Sequence, residues 1–383
     1  MTDSSAQKRN NIVDPPGITG NETIAELLES SFNAFVGRNL REAARLMKRS
    51  IDENFTVFAT MSGAMTPAGL HTSSLIPLLR NGYIDVLCTT GANLYHDLHR
   101  ILGFFFREIS PHVDDAKLRL EKIVRIYDLA IDEKSLLDTD TFLQQLLMKD
   151  SFQCAMTTPE FHYELGRLIA QIELENKTGH SSILSACYQE GVPVFVGAPQ
   201  DGSILLNAVY LSRTSPGFKL CIDMFRDIFQ MAALQNLARE NGGKTAIWIF
   251  GGGVPKNYTL QGEPFLGQIL KVPERGFDID VQICVDVEDN GALSGCTASE
   301  GHTWGKTSAE CIETSSVYCR LDLTAALPWL THYLLSKCSK RPSSRLIDRL
   351  NEAEEKLQRI IPEPGSHAEE DSANDGLRLR KRG

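Results

Sequence analysis

Five stretches of the chain are short, apolar and rich in β-branched residues, and each ends in glycine, proline or a turn residue: NFTVFATM (54–61), DVLCTTG (85–91), VPVFVGAP (192–199), KTAIWIFGGG (244–253) and VQICVDV (281–287). Near-continuous hydrophobicity without alternation predicts strands buried on both faces, as in a parallel sheet. Between them, segments 22–52, 141–150, 161–175, 217–240 and 327–337 carry apolar residues at helical spacing. Strand, turn, helix and strand in repetition predicts an α/β sheet covered by helices on both faces. A last amphipathic helix over 343–361, with Leu346, Ile347, Leu350, Leu357, Ile360 and Ile361 on one face, stops before Pro362 and is expected on the outside of the domain. No internal repeat or linker interrupts 21–361, so one large domain is expected, with its helical N-terminal region as an appendage. Residues 1–20 and 362–383 are polar or charged and read as a flexible N-terminal tail and a disordered C-terminal tail.

Composition narrows the function classes. The 383 residues carry a formal net charge of -10, and no basic stripe with interleaved aromatics is present, which argues against nucleic acid as a partner. An acidic chain does suit cationic ligands such as amines, although acidity also serves solubility. The nine cysteines are single, with no C-x-x-C pair, and Cys88, Cys221 and Cys284 fall in apolar runs. They read as reduced core thiols of a cytoplasmic protein rather than zinc or redox ligands. The first twenty residues lack the apolar core of a signal peptide, and no stretch reaches the roughly 18 apolar residues of a membrane span. No membrane association is expected.

Four small-residue turns follow predicted strands: MSGAMTPAG (61–69), TTGAN (89–93), GAPQDGS (197–203) and the triple glycine 251–253. In an open parallel sheet, ligands sit beyond the carboxyl ends of strands, where helix N-termini and bare backbone N–H groups face phosphates. None of the four is a G-x-G-x-x-G fingerprint near the N-terminus, and any one alone is equally an ordinary tight turn.

Two segments carry a family resemblance: WIFGGGVPKNY (248–258) and GALSGCTASEGHTWGK (291–306), where a Trp-Gly-Lys follows a Ser-Gly and an acidic residue. The sequence resembles deoxyhypusine synthase. TTGANLYHD (89–97), GAPQDGS (197–203) and SSVYCRLDLTAALP (315–328) extend the resemblance, in the family's order, across most of 21–361. It implies a Rossmann-like fold, NAD at the sheet edge and a homotetramer with sites between paired subunits. It also implies a polyamine substrate, an amine acceptor and a carrier lysine. In that chemistry spermidine is oxidised by hydride transfer to NAD, the imine passes to the lysine as 1,3-diaminopropane leaves, and an acceptor amine then takes the aminobutyl group. Carried over by position, the lysine is Lys306, while Trp304, Glu300, Asn257 and His96 fall at the substrate. Cofactor positions are Gly63, Ala64, Met65, Thr66, Pro67, Thr90, Gly91, Ala92, Asp201, Gly252, Val285, Asp286, Asp322 and Leu323. No metal site is implied. An attacking lysine must be neutral, hence desolvated or near other cations. Trp304 supplies an apolar wall and a cation–π face, and Glu300 a partner for an ammonium. Asp201 and Asp322 suit ribose hydroxyls, or equally helix caps.

The chain departs from the family at the substrate. Asn257 stands where eukaryotic members have a proton-accepting histidine, and an amide is not a general base. Tyr95 and His96 replace paired acidic residues, leaving Asp97 as the carboxylate of that stretch; Leu293 replaces an aspartate, and Leu206 or Asn207 another. Each lost charge removes an ion pair to a polycation. Either His96, with His99 three residues on, takes over as base beside a different amine, or the site is inactive; His302 is a further candidate. Three readings follow. They are an aminobutyl transferase acting on a small amine such as putrescine or agmatine, a true deoxyhypusine synthase modifying a translation-factor lysine, and an inactive regulatory paralogue.

Overall fold

The structure is a computed structural model that describes residues 12–177 and 179–363. Six parallel strands form the main sheet: β1 (Thr56–Met61), β2 (Val86–Thr89), β3 (Val194–Val196), β4 (Thr245–Phe250), β5 (Ile279–Ile283) and β6 (Ser316–Cys319). Their spatial order is β3-β2-β1-β4-β5-β6. The five apolar runs read from the sequence supply β1 to β5, and β6 is an edge strand within SSVYC, whose shortness and half-buried side chains hid it from the apolar pattern. The order reverses between β1 and β4, which pair in register from Thr56↔Thr245 to Met61↔Phe250. A crevice at the carboxyl ends of these two strands is the usual ligand position in a doubly wound sheet.

Burial on both faces explains the strand sequences. Val57, Ala59 and Met61 of β1 enter one core cluster with Trp248 and Phe250 of β4, while Phe58, Ile247 and Ile249 enter the other. The first cluster is closed by α1 (Ile24–Ser31), α2 (Phe35–Asp52), α3 (Gly91–Ile101), α6 (Ile183–Glu190) and α10 (Leu323–Lys337). Between α3 and α6 the chain forms α4 (Glu133–Leu147) and α5 (Thr158–Asn176), together with a three-stranded ribbon over 107–132. Beyond β3 come α7 (Ser203–Thr214) and α8 (Met224–Ala238). The second face is covered by α8, by the end of α9 (Gly253–Leu260) and by α11 (Leu350–Ile360) with the turn before it. The last helix packs on the outside through Leu350, Ala353 and Leu357, but it begins at 350 rather than 343: Leu346 and Ile347 pack from the turn before it, and Ile360 is exposed.

Several expectations are corrected. The continuous pattern over 22–52 is two helices, broken where Phe32 ends α1 and Phe35 turns to φ 52. Thr23 and Glu26 form a reciprocal capping box that starts α1. This N-terminal pair is no appendage, since Ala43, Ala44, Met47 and Ile51 of α2 are buried against the sheet and α10. The pattern over 217–240 begins with a short strand, Cys221–Ile222, paired parallel to Ala155–Met156, and the helix starts after Asp223 caps it. Cys88 and Cys284 are buried free thiols, whereas Cys221 is exposed because it lies on that outer strand. Of the two tails, residues 12–20 are exposed and outside regular structure; 1–11 and 364–383 lie outside the described residues. Among the described residues no helix is long and apolar enough to cross a membrane.

A partly buried arginine joins the C-terminal segment to the amino ends of β1 and β2. Arg341 donates to Phe55 O at 2.9 Å, to Gly82 O at 2.8 Å and to Asp85 Oδ2 at 2.9 Å, while Asp85 also accepts from Val57 N at 2.8 Å. Arg341→Ala deprives a buried carboxylate of its cationic partner and removes one donor from each of two backbone carbonyls. It is expected to cost about 3 kcal/mol, measured as a lower urea midpoint, with Asp85→Asn losing less because an amide oxygen can still accept from Arg341 and Val57 N.

Candidate active site

The carboxyl ends of the strands carry the predicted turns, and hydrogen bonds knit them together. Asn93, in the first turn of α3, accepts from Met65 N at 2.7 Å and Thr66 N at 3.3 Å, and donates to Met61 O at 3.3 Å. Thr66 Oγ1 returns a bond to Asn93 O at 2.9 Å, and Thr90 Oγ1 donates to Gly63 O at 2.7 Å while capping α3 through Asn93 N. The turns after β1 and β2 are thus one unit. Ser62 extends it to β4, accepting from Gly252 N at 2.9 Å. Gly251 there adopts φ 91, and a Cβ would lie 2.1 Å from Ser62 Oγ, so glycine is required. Gly253 begins α9 with φ 62 and open space above it, leaving the helix N-terminus accessible.

Within this frame the expected cofactor positions divide. Gly63, Ala64, Met65, Thr90, Gly91 and Ala92 are at least partly accessible, and Asp201, Val285 and Asp322 are exposed, with Asp286 half-buried beside them. Thr66, Pro67, Gly252 and Leu323 are buried. Thr66 ties the turns, and Leu323 packs in the core. Asp322 caps α10 through Oδ1, which accepts from Thr324 N at 2.9 Å and from the Thr324 hydroxyl. Its other oxygen takes neither bond. The open α9 terminus, the bare glycine turns and these outward carboxylates fit a dinucleotide: helix ends for the pyrophosphate, carboxylates for ribose hydroxyls.

The second part of the site is a cavity of about 320 Å³ around Lys306. A short helix, Ala298–His302, capped by Thr297, delivers this residue. The turn beyond is fixed by Lys306 N to Gly301 O (3.0 Å), Thr307 Oγ1 to Ala298 O (2.8 Å) and Phe277 N to Lys306 O (3.0 Å). Lys306 Nζ donates to Asn257 Oδ1 at 3.0 Å and lies 6.0 Å from the ring centroid of Trp304. Burial holds the Lys306 ammonium below the ordinary lysine value, against the opposing influence of Cys296 and Glu300. Trp304 is 55% exposed and forms an outer wall rather than a core residue. Glu300 lines the cavity, as expected from the sequence, and so does Leu293.

Among the lining residues not singled out in the sequence, four carry polar or ionisable side chains: Lys256, Gln261, Glu288 and Cys296. Lys256 is buried, donates to Gln282 Oε1 at 2.9 Å and to Cys296 O, and is likewise held below its usual value by burial. The Asp280 carboxyl behind it is pushed up to about 6 by burial, with Lys256 pulling the other way. A lysine four residues into a glycine turn was the available signal for Lys256. Glu288 gave none, because its loop is folded back by tertiary bonds, among them Asn290 Nδ2 to Asp286 Oδ1 (3.0 Å) and Tyr318 OH to Asp286 O (2.9 Å).

His96 does not line this cavity. Its Nδ1 is 3.1 Å from His99 Nε2, and His99 Nδ1 is 2.8 Å from Thr139 Oγ1, so the pair is turned toward α4. Burial pushes both imidazoles down, to about 4 and about 3. His302 is turned to Thr307 O at 2.6 Å. Asp97 is buried, accepting from Ile183 N at 2.7 Å at the start of α6 and lying 3.2 Å from His71 Nε2; it is structural. Asn207 is buried in bonds to Asp140 and Gln144, and Leu206 is exposed. No group of metal-ligating side chains occurs among the described residues.

The doubly wound sheet, with helices on both faces and a desolvated lysine in a cavity near the carboxyl ends of its strands, defines an α/β protein of the Rossmann-like class. Residues 25–334 match the deoxyhypusine synthase family. A deoxyhypusine synthase-like protein of Nostoc punctiforme is 41% identical over 348 residues, covering 91% of this chain and 88% of the relative. A deoxyhypusine synthase-like protein of Thermosynechococcus vestitus is 42% identical over 352 residues, covering 91% and 87%. A probable deoxyhypusine synthase of Archaeoglobus fulgidus is 38% identical over 303 residues, covering 79% and 94%. The fold resembles a crystal structure described as a candidate deoxyhypusine synthase from Entamoeba histolytica, with a TM-score of 0.54 at 13% identity, covering 86% and 99% of the two chains. The chain belongs to the deoxyhypusine synthase family, a family of transferases.

The contact between Lys306 and Asn257 makes the lysine's charge state testable. A carboxylate in place of the amide, 3.0 Å from Nζ, favours the ammonium and so raises the lysine pKa. In Asn257→Asp the pH midpoint for acylation of Lys306, followed by peptide mass, is expected to rise by about one unit or more.

Proposed function

We propose that the protein is an NAD-dependent aminobutyl transferase in which Lys306 carries the group as an imine from spermidine or a related polyamine to an amine acceptor. The observation that carries this reading is the half-buried Lys306 amine, desolvated and held by an amide rather than a carboxylate. A neutral Nζ is the form that attacks. NAD, when bound, supplies the hydride acceptor that converts the donor's secondary amine to an imine, and the hydride donor that restores an amine at the end. The protein's own residues do the rest. Trp304 presents its ring to a cationic methylene–ammonium chain, and Glu288 and Glu300 meet its ammonium end.

In the exchange at Lys306 a bond forms from Nζ to the imine carbon and the bond from that carbon to the leaving amine breaks. The proton lost by Nζ leaves on the departing 1,3-diaminopropane. Because the exchange itself is proton-neutral, Asn257 serves it by orienting Nζ; the proton released when the donor's secondary ammonium is oxidised passes to solvent. An acceptor amine then repeats the exchange in reverse.

A small amine such as putrescine or agmatine is the acceptor this cavity favours over a protein lysine. About 320 Å³ holds a short aliphatic chain, and the changes at Leu293 and Asn257 fall on the wall of this cavity while the carrier and the glycine turns are kept. The dinucleotide belongs in the crevice between β1 and β4. Leu206, Val209 and Tyr210 form an exposed apolar face on α7, which suits a homotetrameric assembly with sites near subunit contacts.

Incubation with NAD and spermidine, reduction with borohydride and peptide mass analysis is expected to show an aminobutyl adduct on Lys306, absent in Lys306→Arg. Adding putrescine before the reduction should discharge it. An unmodified Lys306 with every polyamine tried would refute the carrier role.

A further inference from the structure

The cavity at Lys306 is not isolated. A second chamber of about 400 Å³ shares Asn257, Gln261 and Leu293 with it. Its other walls are mainly hydrocarbon and aromatic: Ile228 and Met231 from α8, Val254 and Tyr258 from α9, and Phe265 and Ile269 beyond. None of the described residues lining it is charged. Two buried carboxyls outside its lining are already engaged: Asp227 accepts from the Tyr258 hydroxyl and from Thr158 N, and Glu263 is paired with Arg239. The two chambers therefore differ in kind. One has Glu288 and Glu300 for an ammonium, and the other has nothing to neutralise one.

That difference decides what can cross Leu293. A second ammonium placed in the uncharged chamber would be desolvated without a counter-ion, a strongly unfavourable transfer. A methylene chain placed there gains roughly fourfold in affinity for each buried carbon. Leu293, 48% exposed at the divide, presents a hydrocarbon edge to both sides.

We propose that the second chamber is a subsite for the uncharged hydrocarbon arm of a secondary-amine substrate, whose aminobutyl end lies toward Glu288 and Glu300 and whose secondary nitrogen lies beside Lys306. The preferred donor is then an N-alkylated butanediamine. This rests on the carrier role of Lys306 and names its substrate class. The chemistry balances as before. With NAD as the two-electron oxidant, the carbon–nitrogen bond on the aminobutyl side becomes an imine, Nζ replaces the alkylamine at that carbon, and the alkylamine departs with the proton.

N-Butylputrescine differs from spermidine chiefly in having a methyl group where spermidine has its far ammonium. Calorimetric titration of the two amines into NAD-supplemented Lys306→Ala protein, where no transfer can occur, is expected to give at least tenfold tighter binding of N-butylputrescine. Affinity should rise on lengthening the alkyl arm until the chamber is full. Leu293→Asp should shift the preference toward spermidine, while Leu293→Asn, uncharged and similar in size, should not. Equal or tighter binding of spermidine by the Lys306→Ala protein would overturn the proposal, as would an unchanged preference in Leu293→Asp. Borohydride trapping of the unmutated protein with each donor separates the two ideas. An alkyl preference without an adduct upholds the subsite and removes the carrier, and an adduct without an alkyl preference does the reverse.

Discussion

A parallel sheet must be covered on both faces, and that requirement organises this molecule. Each strand of the centre is apolar on both sides, so helices occupy both faces and the crossovers bring every strand's carboxyl end to one edge. Turns that are far apart in sequence, after residues 61, 89 and 250, become neighbours only through this topology. Ser62 and Asn93 then convert neighbours into a single rigid rim by satisfying backbone groups that the turns leave open. The geometry of the site is a by-product of how hydrocarbon is hidden elsewhere.

Around Lys306 the governing quantity is charge. Two lysines share one small cavity, both desolvated, with an amide as hydrogen-bond partner of one and an amide and a backbone carbonyl as partners of the other. Neither contacts a carboxylate directly. A carboxylate at that distance would favour the ammonium, whereas Glu288 and Glu300, which line the cavity without touching either amine, add negative charge without fixing a lysine in its protonated form by direct contact.

Much of this was legible in the sequence because it depends on local pattern. Five of the six strands of the main sheet announced themselves as apolar runs ended by small residues. Asn257 and Trp304 fell beside Lys306 as their motifs suggested. What sequence could not give depends on tertiary placement. His96 looked like a substitute base, but the helix phase of α3 turns it to His99 and Thr139. Asp97 looked like a surviving substrate carboxylate, but it is consumed by the N-terminus of α6. Glu288 reaches the cavity only because its loop folds back, and Lys256 is recognisable as unusual only once its burial is known.

The N-terminal helices bear on the order in which the chain can fold. Asn39 donates to Tyr318 O, and Glu29 accepts from the hydroxyl of Tyr333, a residue 304 positions later. At roughly 10 residues per second, ribosomal synthesis separates these partners by about half a minute. During that interval α2 exposes the apolar stripe it will lay on β5, β6 and α10, since those elements do not yet exist. The first helices made are among the last to find their place, and the nascent chain must carry an uncovered hydrophobic surface for most of its translation.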